Sequence, residues 1–329
     1  MSSQSVDIQP SVIVLMPAYN HEKYIAQAIE SVLNQITTFK VTLCISDDAS
    51  SDSTYKIASL FGNKNKVVIN LIRNEVNLGA VPNGAKLRNE AIKSQCKYIS
   101  ILESDDYWTD PLKLQKQVDY LEENLDVAIS FTKTLVLKPD GELVDDYMTK
   151  VPSEISSLID LVEVGNYIHT PTIVFRNLIN EFPDFFLRAP IGDYPLYLLV
   201  AEFGKIKYFD NATAVYRIGS GYWSTTSSLK QQIGWINLLI ELIEYFKLNS
   251  EVVLSLIVQY EKTCKSIIRM QTEEKTSVVT ISKFIFLSYR YKRNAYFYYL
   301  KEVFARLRSN LFPEINIKQL YQIIFLRFQ

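Results

Sequence analysis

The sequence predicts an α/β fold: a nucleotide-binding, mostly parallel sheet flanked by helices, followed by a helical C-terminal region. Three observations carry the prediction. Short apolar, β-prone runs alternate with segments of helical periodicity as far as residue 125, the pattern of a parallel sheet covered on both faces. Two of those strands end in paired carboxylates, Asp47-Asp48 and Asp105-Asp106, and in such a sheet both ends face one crevice. Beyond Thr225 the periodicity is helical only.

Val12 to Met16 is a strand that leaves the sheet at Pro17-Ala18-Tyr19-Asn20. From Glu22 to Gln35, Ile25, Ala28, Ile29, Val32 and Leu33 share one helical face. Val41 to Ser46 is a second strand, ending in Asp47-Asp48. A helix starts near Ser51 to Ser53, Val67 to Ile72 is a third strand, and a helix from about Asn83 leads to the fourth strand, Tyr98 to Leu102. Glu103-Ser104-Asp105-Asp106-Tyr107-Trp108 follows, then a helix from Asp110-Pro111 to Asn124, with Asp or Thr as cap and Pro in its first turn. Val127 to Leu137 is β-rich, Lys138 to Gly141 is a turn, and Glu142 to Val144 pairs back across it. His169 to Arg176 is a strand entry. Asp193 to Phe203 is a helix closed by Gly204, and Ile206 to Phe209 and Thr213 to Arg217 are two short strands. Four helical segments follow: Ile233 to Phe246, Val252 to Met270, Val278 to Tyr289 and Tyr291 to Leu307, with a short apolar-basic stretch from Ile315 to Phe328.

The chain of 329 residues is 48% hydrophobic and 22% charged, a globular composition. Its net charge of -1 gives no reason to expect nucleic acid as a partner. That value hides an asymmetry, because nine basic and two acidic residues lie between Ile281 and the end. The cysteines Cys44, Cys96 and Cys264 are widely spaced and odd in number, which fits core thiols in a reducing compartment. No secretory signal pattern and no apolar run of 18 residues is found, so a cytoplasmic location is expected.

Three carboxylates within four positions, Glu103, Asp105 and Asp106, repel one another unless a cation lies among them. Oxygen-only ligands suit a hard ion, Mg²⁺ or Mn²⁺, shared with phosphate. Neither G-x-G-x-x-G nor G-x-x-x-x-G-K-[ST] occurs, so a metal and basic groups would hold the phosphates in place of a glycine cradle.

Val12 to Asn20, Ile45 to Ser50 and Leu102 to Trp108, in this order and spacing, resemble the family 2 inverting glycosyltransferases with a GT-A fold. The resemblance covers about residues 10 to 225, and Asp105 to Leu121 is similar to a bacterial branch that builds cell-surface polysaccharides. It implies a nucleotide-sugar half over about residues 10–125, an acceptor half over about 126–225, and a helical region over 226–329. The nucleotide would lie on Pro17, Ala18 and Tyr19, with its base at Asp48 and Asp47 beside it. Asp105 and Asp106 would bridge ribose, metal and diphosphate. Glu103 stands where many members carry Asp. The general base of the family matches Asp193, which is also a plain helix cap. Arg217, after Tyr216, and Arg88 are candidates for the diphosphate. Trp108, His169 and Thr170 fall on the acceptor side. Many members carry a metal-site His just after the Tyr-Arg pair, where this chain has Gly219. His21 reads as a surface residue.

The reaction so implied moves a sugar from a nucleoside diphosphate, UDP by expectation, to a hydroxyl of a glycan or a polyprenyl-linked oligosaccharide. A non-catalytic nucleotide-sugar- or glycan-binding relative, partner to another transferase, is the alternative. A nucleotidyltransferase would want a Gly-rich phosphate loop and an early Lys, which Val12 to Asn20 lacks. The basic and aromatic C-terminal residues suit packing, an oligomer contact or the surface of an anionic membrane.

Overall fold

The computed structural model describes residues 11–219 and 228–269. The chain divides into two compact units, Met1–Tyr260 and Glu261–Gln329. In chain order the elements are β1 (Ser11–Ala18), α1 (Ile25–Leu33), β2 (Lys40–Asp47), α2 (Thr54–Ala58), β3 (Val67–Arg73), α3 (Ala80–Ser94), β4 (Tyr98–Ile101) and β5 (Tyr107–Trp108). Then come α4 (Lys113–Glu123), β6 (Val127–Leu137), β7 (Leu143–Asp145), β8 (Ile155–Ser156), α5 (Leu158–Val164), β9 (Val174–Arg176), α6 (Asp193–Ala201), β10 (Lys205–Arg217), α7 (Ser228–Tyr245) and α8 (Ser250–Arg269).

One sheet runs β3-β2-β1-β4-β9-β6-β10-β5, with β7 on β6 and β8 on β10. β3, β2, β1 and β4 pair in parallel, and β6 pairs in parallel with β10. β9 is antiparallel to both β4 and β6, so β6 and β10 run in the direction of the first four strands. All six parallel strands therefore end on one edge, and the acidic turns collect there.

The core forms as the periodicity requires. Ile25, Ala28, Ile29, Val32 and Leu33 of α1 and Leu114, Val118 and Leu121 of α4 are buried with the inner residues of β1 and β2. Each leucine, isoleucine or valine among them contributes about 1.5–3 kcal/mol by leaving water.

The structure corrects several local expectations. α4 starts at Lys113, not at Asp110; the Asp110 carboxylate instead accepts from Leu112 N at 2.8 Å and Lys116 Nζ at 2.8 Å, holding the turn before the helix. Residues 170–172 form a 3₁₀ turn, with Pro171 inside it, and only Val174–Arg176 is strand. The two short strands at 206–209 and 213–217 are one strand, β10, kept continuous by bulges between Phe209 and Ala214. Gly204 is required by close approach: a Cβ there would lie 2.6 Å from Asp126 O. α6 begins at Asp193 with Gly192 as its N-cap, so Asp193 is the first helical residue and not the cap.

The first compact unit runs beyond residue 225. Ile236, Leu239, Leu242, Val252 and Leu256 are buried, and Tyr194 of α6 stacks on Trp235 of α7 with ring centroids 4.9 Å apart. Gln259 donates to Tyr194 Oη at 3.0 Å and to Val162 O. Both contacts brace the start of α6. The helices expected from 278 to 328 lie outside the described residues.

Candidate active site

Backbone pairing brings the strand ends together. Ala18 is in register with Asp47, Asp48 N donates to Ala18 O at 2.8 Å, and Ser104 N donates to Pro17 O at 3.3 Å. Tyr19 is left exposed at the tip.

The two carboxylates after β2 have different work. Both Asp48 oxygens are engaged: Oδ1 accepts from Asn74 Nδ2 at 2.7 Å and Leu78 N at 2.9 Å, and Oδ2 from Gly79 N at 2.9 Å. Asn83 extends the network to Asn74 and to the Ser46 hydroxyl, which donates to Asn83 Oδ1 at 2.6 Å. Asp47 faces Arg73 at 3.4 Å and accepts from Ser50 N through Oδ2, while its buried Oδ1 has no hydrogen-bond partner. In this arrangement Asp48 holds the loop before α3, and Asp47 keeps one buried oxygen without a hydrogen-bond partner.

The second acidic turn is the centre of the site. Asp105 and Asp106 are buried, and Asp106 Oδ1 accepts from Arg217 N at 2.8 Å while Oδ2 is buried without a partner. Burial, then the charges of Asp105 and Glu103, hold the Asp106 carboxyl well above the usual range, against the pull of Arg217. Glu103 is pushed up to about 8 by burial, then by Asp105 and Asp193. The charge of Asp193 thus reaches Glu103 as well. Burial raises its pKa too, opposed by backbone N–H groups, by Asn166 Nδ2 at 2.8 Å and by the charge of His169. Arg217 closes one side: Nε donates to Asp105 O at 2.7 Å, Nη2 to Gln27 Oε1 at 2.6 Å, and the guanidinium lies over Tyr24 and Tyr107.

Other expected site residues lie elsewhere. Arg88 is buried on α3 against the stacked Phe182–Phe186 pair and beside Gly192, the N-cap of α6, with Nε and Nη2 unpartnered, and burial lowers its pKa to about 10. Trp108 is also buried; its indole donates to Pro171 O at 2.7 Å and its face meets Lys113 Nζ, so it braces the turn and presents no face to an acceptor. Thr170 accepts from Tyr197 Oη at 3.3 Å. His169 stacks on Tyr216 with centroids 5.1 Å apart, and its Nε2 lies 3.1 Å from Asp146 Oδ2. His21 is no bystander on the surface: Nδ1 lies 2.8 Å from the Ser104 hydroxyl and 3.9 Å from Asp105 Oδ1. Residues that sequence reading missed are the partners: Asn74 and Asn83 for Asp48, Asn166 for Asp193, Gln27 for Arg217, Asp146 for His169.

The metal expectation meets a divided result. Among the described residues no three His, Cys, Asp or Glu side chains converge as a ready metal site. The donor chemistry nevertheless fits a hard cation, because Asp106 Oδ2 is buried with nothing to bond and its carboxylate neighbours repel it. Asp105 and Asp106 would hold such an ion, with the remaining positions left to diphosphate and water.

A pH effect follows from the same crowding. Glu103 takes up a proton in the folded state at a pH where the unfolded chain has lost it, so charge burial opposes folding above its ordinary value of 4.5. With chelator present, the melting temperature is expected to fall as pH rises from 4.5 to about 8, and Glu103→Gln to flatten that decline. Melting curves at both ends of the window check it; an equally steep decline in the variant would reject the assignment.

Residues 13–181 match the glycosyl transferase family 2 description. The chain belongs to that family. It is similar to the uncharacterized protein Rv1520 of Mycobacterium tuberculosis, 30% identical over 200 residues, covering 61% of this chain and 56% of that one. It is also similar to the chondroitin synthase of Pasteurella multocida, 28% identical over 205 residues, 61% of this chain and 20% of that one. The family 2 chain thus spans about half the length, or less, of these curated relatives. Among solved structures, S. aureus TarS residues 1–349 in complex with UDP-GlcNAc superimposes with a TM-score of 0.58 at 19% identity, covering 91% of this chain and 83% of that one. That likeness shows the shared α/β fold.

Proposed function

We propose that this chain is an inverting, metal-dependent glycosyltransferase that moves a sugar from a nucleoside-diphosphate sugar, with UDP as the nucleotide, to a hydroxyl of a glycan or lipid-linked oligosaccharide in bacterial surface-polysaccharide synthesis. The observation that supports the reading is electrostatic: the charges of Asp105 and of Asp193 both act on Glu103 and raise its pKa. The acidic motif that would meet the diphosphate and the carboxylate that would meet the acceptor would thus act within reach of one another.

Asp193 accepts the proton of the acceptor hydroxyl as its oxygen bonds to the anomeric carbon, and the bond from that carbon to the diphosphate breaks. Arg217 stands beside Asp105 and Asp106 to meet the charge that leaves. A divalent ion, Mn²⁺ or Mg²⁺, at Asp105 and Asp106 supplies Lewis-acid stabilisation of that charge when bound. Pro17, Ala18, Tyr19 and Asp47 line the nucleotide position, and His169 and Thr170 the acceptor side. The likeness to chondroitin synthase and to TarS in complex with UDP-GlcNAc supports the polysaccharide and donor classes. Among the described residues no helix is long and apolar enough to cross a membrane. We place the reaction at the cytoplasmic face, with the basic C-terminal sequence as membrane or oligomer contact.

Calorimetric titration with UDP tests the donor site. UDP is expected to bind in Mn²⁺, to lose affinity on chelation, and to bind Asp105→Ala at least tenfold more weakly. Equal binding with and without metal, or no UDP binding to the wild type, rejects the metal-diphosphate reading.

A further inference from the structure

A concavity opens beside His169. It has a volume of about 670 Å³, within the range of ordinary ligand sites, and lies along β6 and β10 under the segment that precedes β8. Its floor is a ladder of rings. Tyr208 lies 5.1 Å from Phe131, and Phe131 lies 5.7 Å from Tyr167, measured between centroids. Phe131 and Tyr167 are buried, whereas Tyr208 is half-exposed, so the ladder offers one solvent-facing ring on a rigid backing.

The wall at one end is His169, whose Nε2 meets Asp146. That imidazole also stacks on Tyr216 and contributes charge at Asp193. Tyr167 adjoins Asn166, which donates to the Asp193 carboxylate. His169 and the Asn166-Tyr167 pair thus connect the concavity to the candidate base.

Charge decides the class of occupant. Both lysines of the lining are already paired: Lys133 with Asp145 at 3.0 Å, and Lys207 with Glu154. The lining carboxylates Asp146, Glu154 and Asp210 outnumber those lysines. An anionic ligand would meet repulsion and no available ammonium. A neutral sugar suits the same surface, since its apolar ring face lies on an aromatic ring and its hydroxyls donate to carboxylates.

We infer that this cleft, with Tyr208 as its platform and the His169–Asp146 pair as its inner wall, binds a neutral stretch of the acceptor glycan outside the transfer position. The inference rests on the proposed function for its direction, because it takes Asp193 as the point where the chain end is received. It adds that the sugars next to the growing end carry no uronate or phosphate.

Saturation-transfer difference NMR on the full chain tests this, with maltotetraose, cellotetraose, mannotetraose and chitotetraose as neutral probes and tetragalacturonate as the acidic one. Transfer to at least one neutral tetrasaccharide is expected, lost in Tyr208→Ala and kept in Tyr208→Phe, which retains the ring. Transfer only to tetragalacturonate, transfer unchanged in Tyr208→Ala, or no transfer to any probe overturns the inference. UDP calorimetry on the same three proteins separates the two readings. A wild type that binds neutral sugar through Tyr208 but takes no UDP leaves the cleft standing and removes the donor site.

Discussion

Asp193→Asn is expected to lower sugar transfer by about 10²- to 10⁴-fold, the range that general-base catalysis supplies, while metal-dependent UDP binding stays within a factor of two or so. The asparagine keeps the shape and the hydrogen bond to Asn166 is easily re-formed by rotation, but it takes no proton. Environment adds a second, sharper test. Burial holds the Asp193 carboxyl above its ordinary value, and Asn166 with the first-turn N–H groups pulls the other way. A base must be ionised, so activity falls as pH drops through this raised value, and the acid limb lies above the usual carboxylate range. Asn166→Ala removes a bond that favours the charged form, and should move the acid limb to still higher pH while retaining activity at alkaline pH. Transfer rates across pH for wild type and both variants check this. An Asn166→Ala limb displaced to lower pH, or an Asp193→Asn enzyme of wild-type rate, would remove Asp193 from the chemistry.

The parts of this site that could be read in the sequence are those written as local patterns. A strand leaves an apolar run of five or six residues, and an acidic turn directly after it is confined to the sheet edge whatever the rest of the chain does. Asp47-Asp48 and Asp105-Asp106 are legible for that reason, whereas Pro195 marks only the helix start at Asp193, and the role proposed for Asp193 comes from the family resemblance. Partners separated by long stretches of chain carry no such pattern. Arg88 sits on what reads as a polar helical face, and nothing local shows Phe182 and Phe186 closing over it. Likewise His21 meets Ser104 across 83 positions, and Arg217 reaches Gln27 across 190. Trp108 fails differently. It follows the acidic turn in sequence, but β5 pairs with β10 and turns the indole into the core. The strands expected at 206–209 and 213–217 are one, because the bulges in β10 absorb the residues between them without breaking the strand. In each case tertiary packing overrides a correct local preference.

Asp48→Ala is expected to cost about 3 kcal/mol of stability, because hydrogen bonds to a charged acceptor are each worth about 1.5–3 kcal/mol, the carboxylate accepts three of them, and Asn74, left behind, is buried. The carboxylate is 2% exposed and receives the side chain of Asn74 and the N–H groups of Leu78 and Gly79. Removing it orphans all three at once and frees the loop that leads into α3. Gly79 has φ +90°, a conformation held only while that loop is tied down, so the damage should spread to the first turn of α3. For a domain of this size the melting temperature should fall by roughly 6–12 °C. Asp47→Ala disturbs less: it loses a contact to a half-exposed Arg73 and one backbone donor, and its other oxygen has no partner to orphan. The two substitutions are therefore expected to separate. Asp48→Ala shows a large loss of stability, and Asp47→Ala a smaller one with a larger loss of UDP affinity in the folded protein. Melting curves and calorimetry on the pair decide it. If Asp47→Ala unfolds first while Asp48→Ala stays stable and loses UDP, the base is met by Asp48, and the loop network is dispensable.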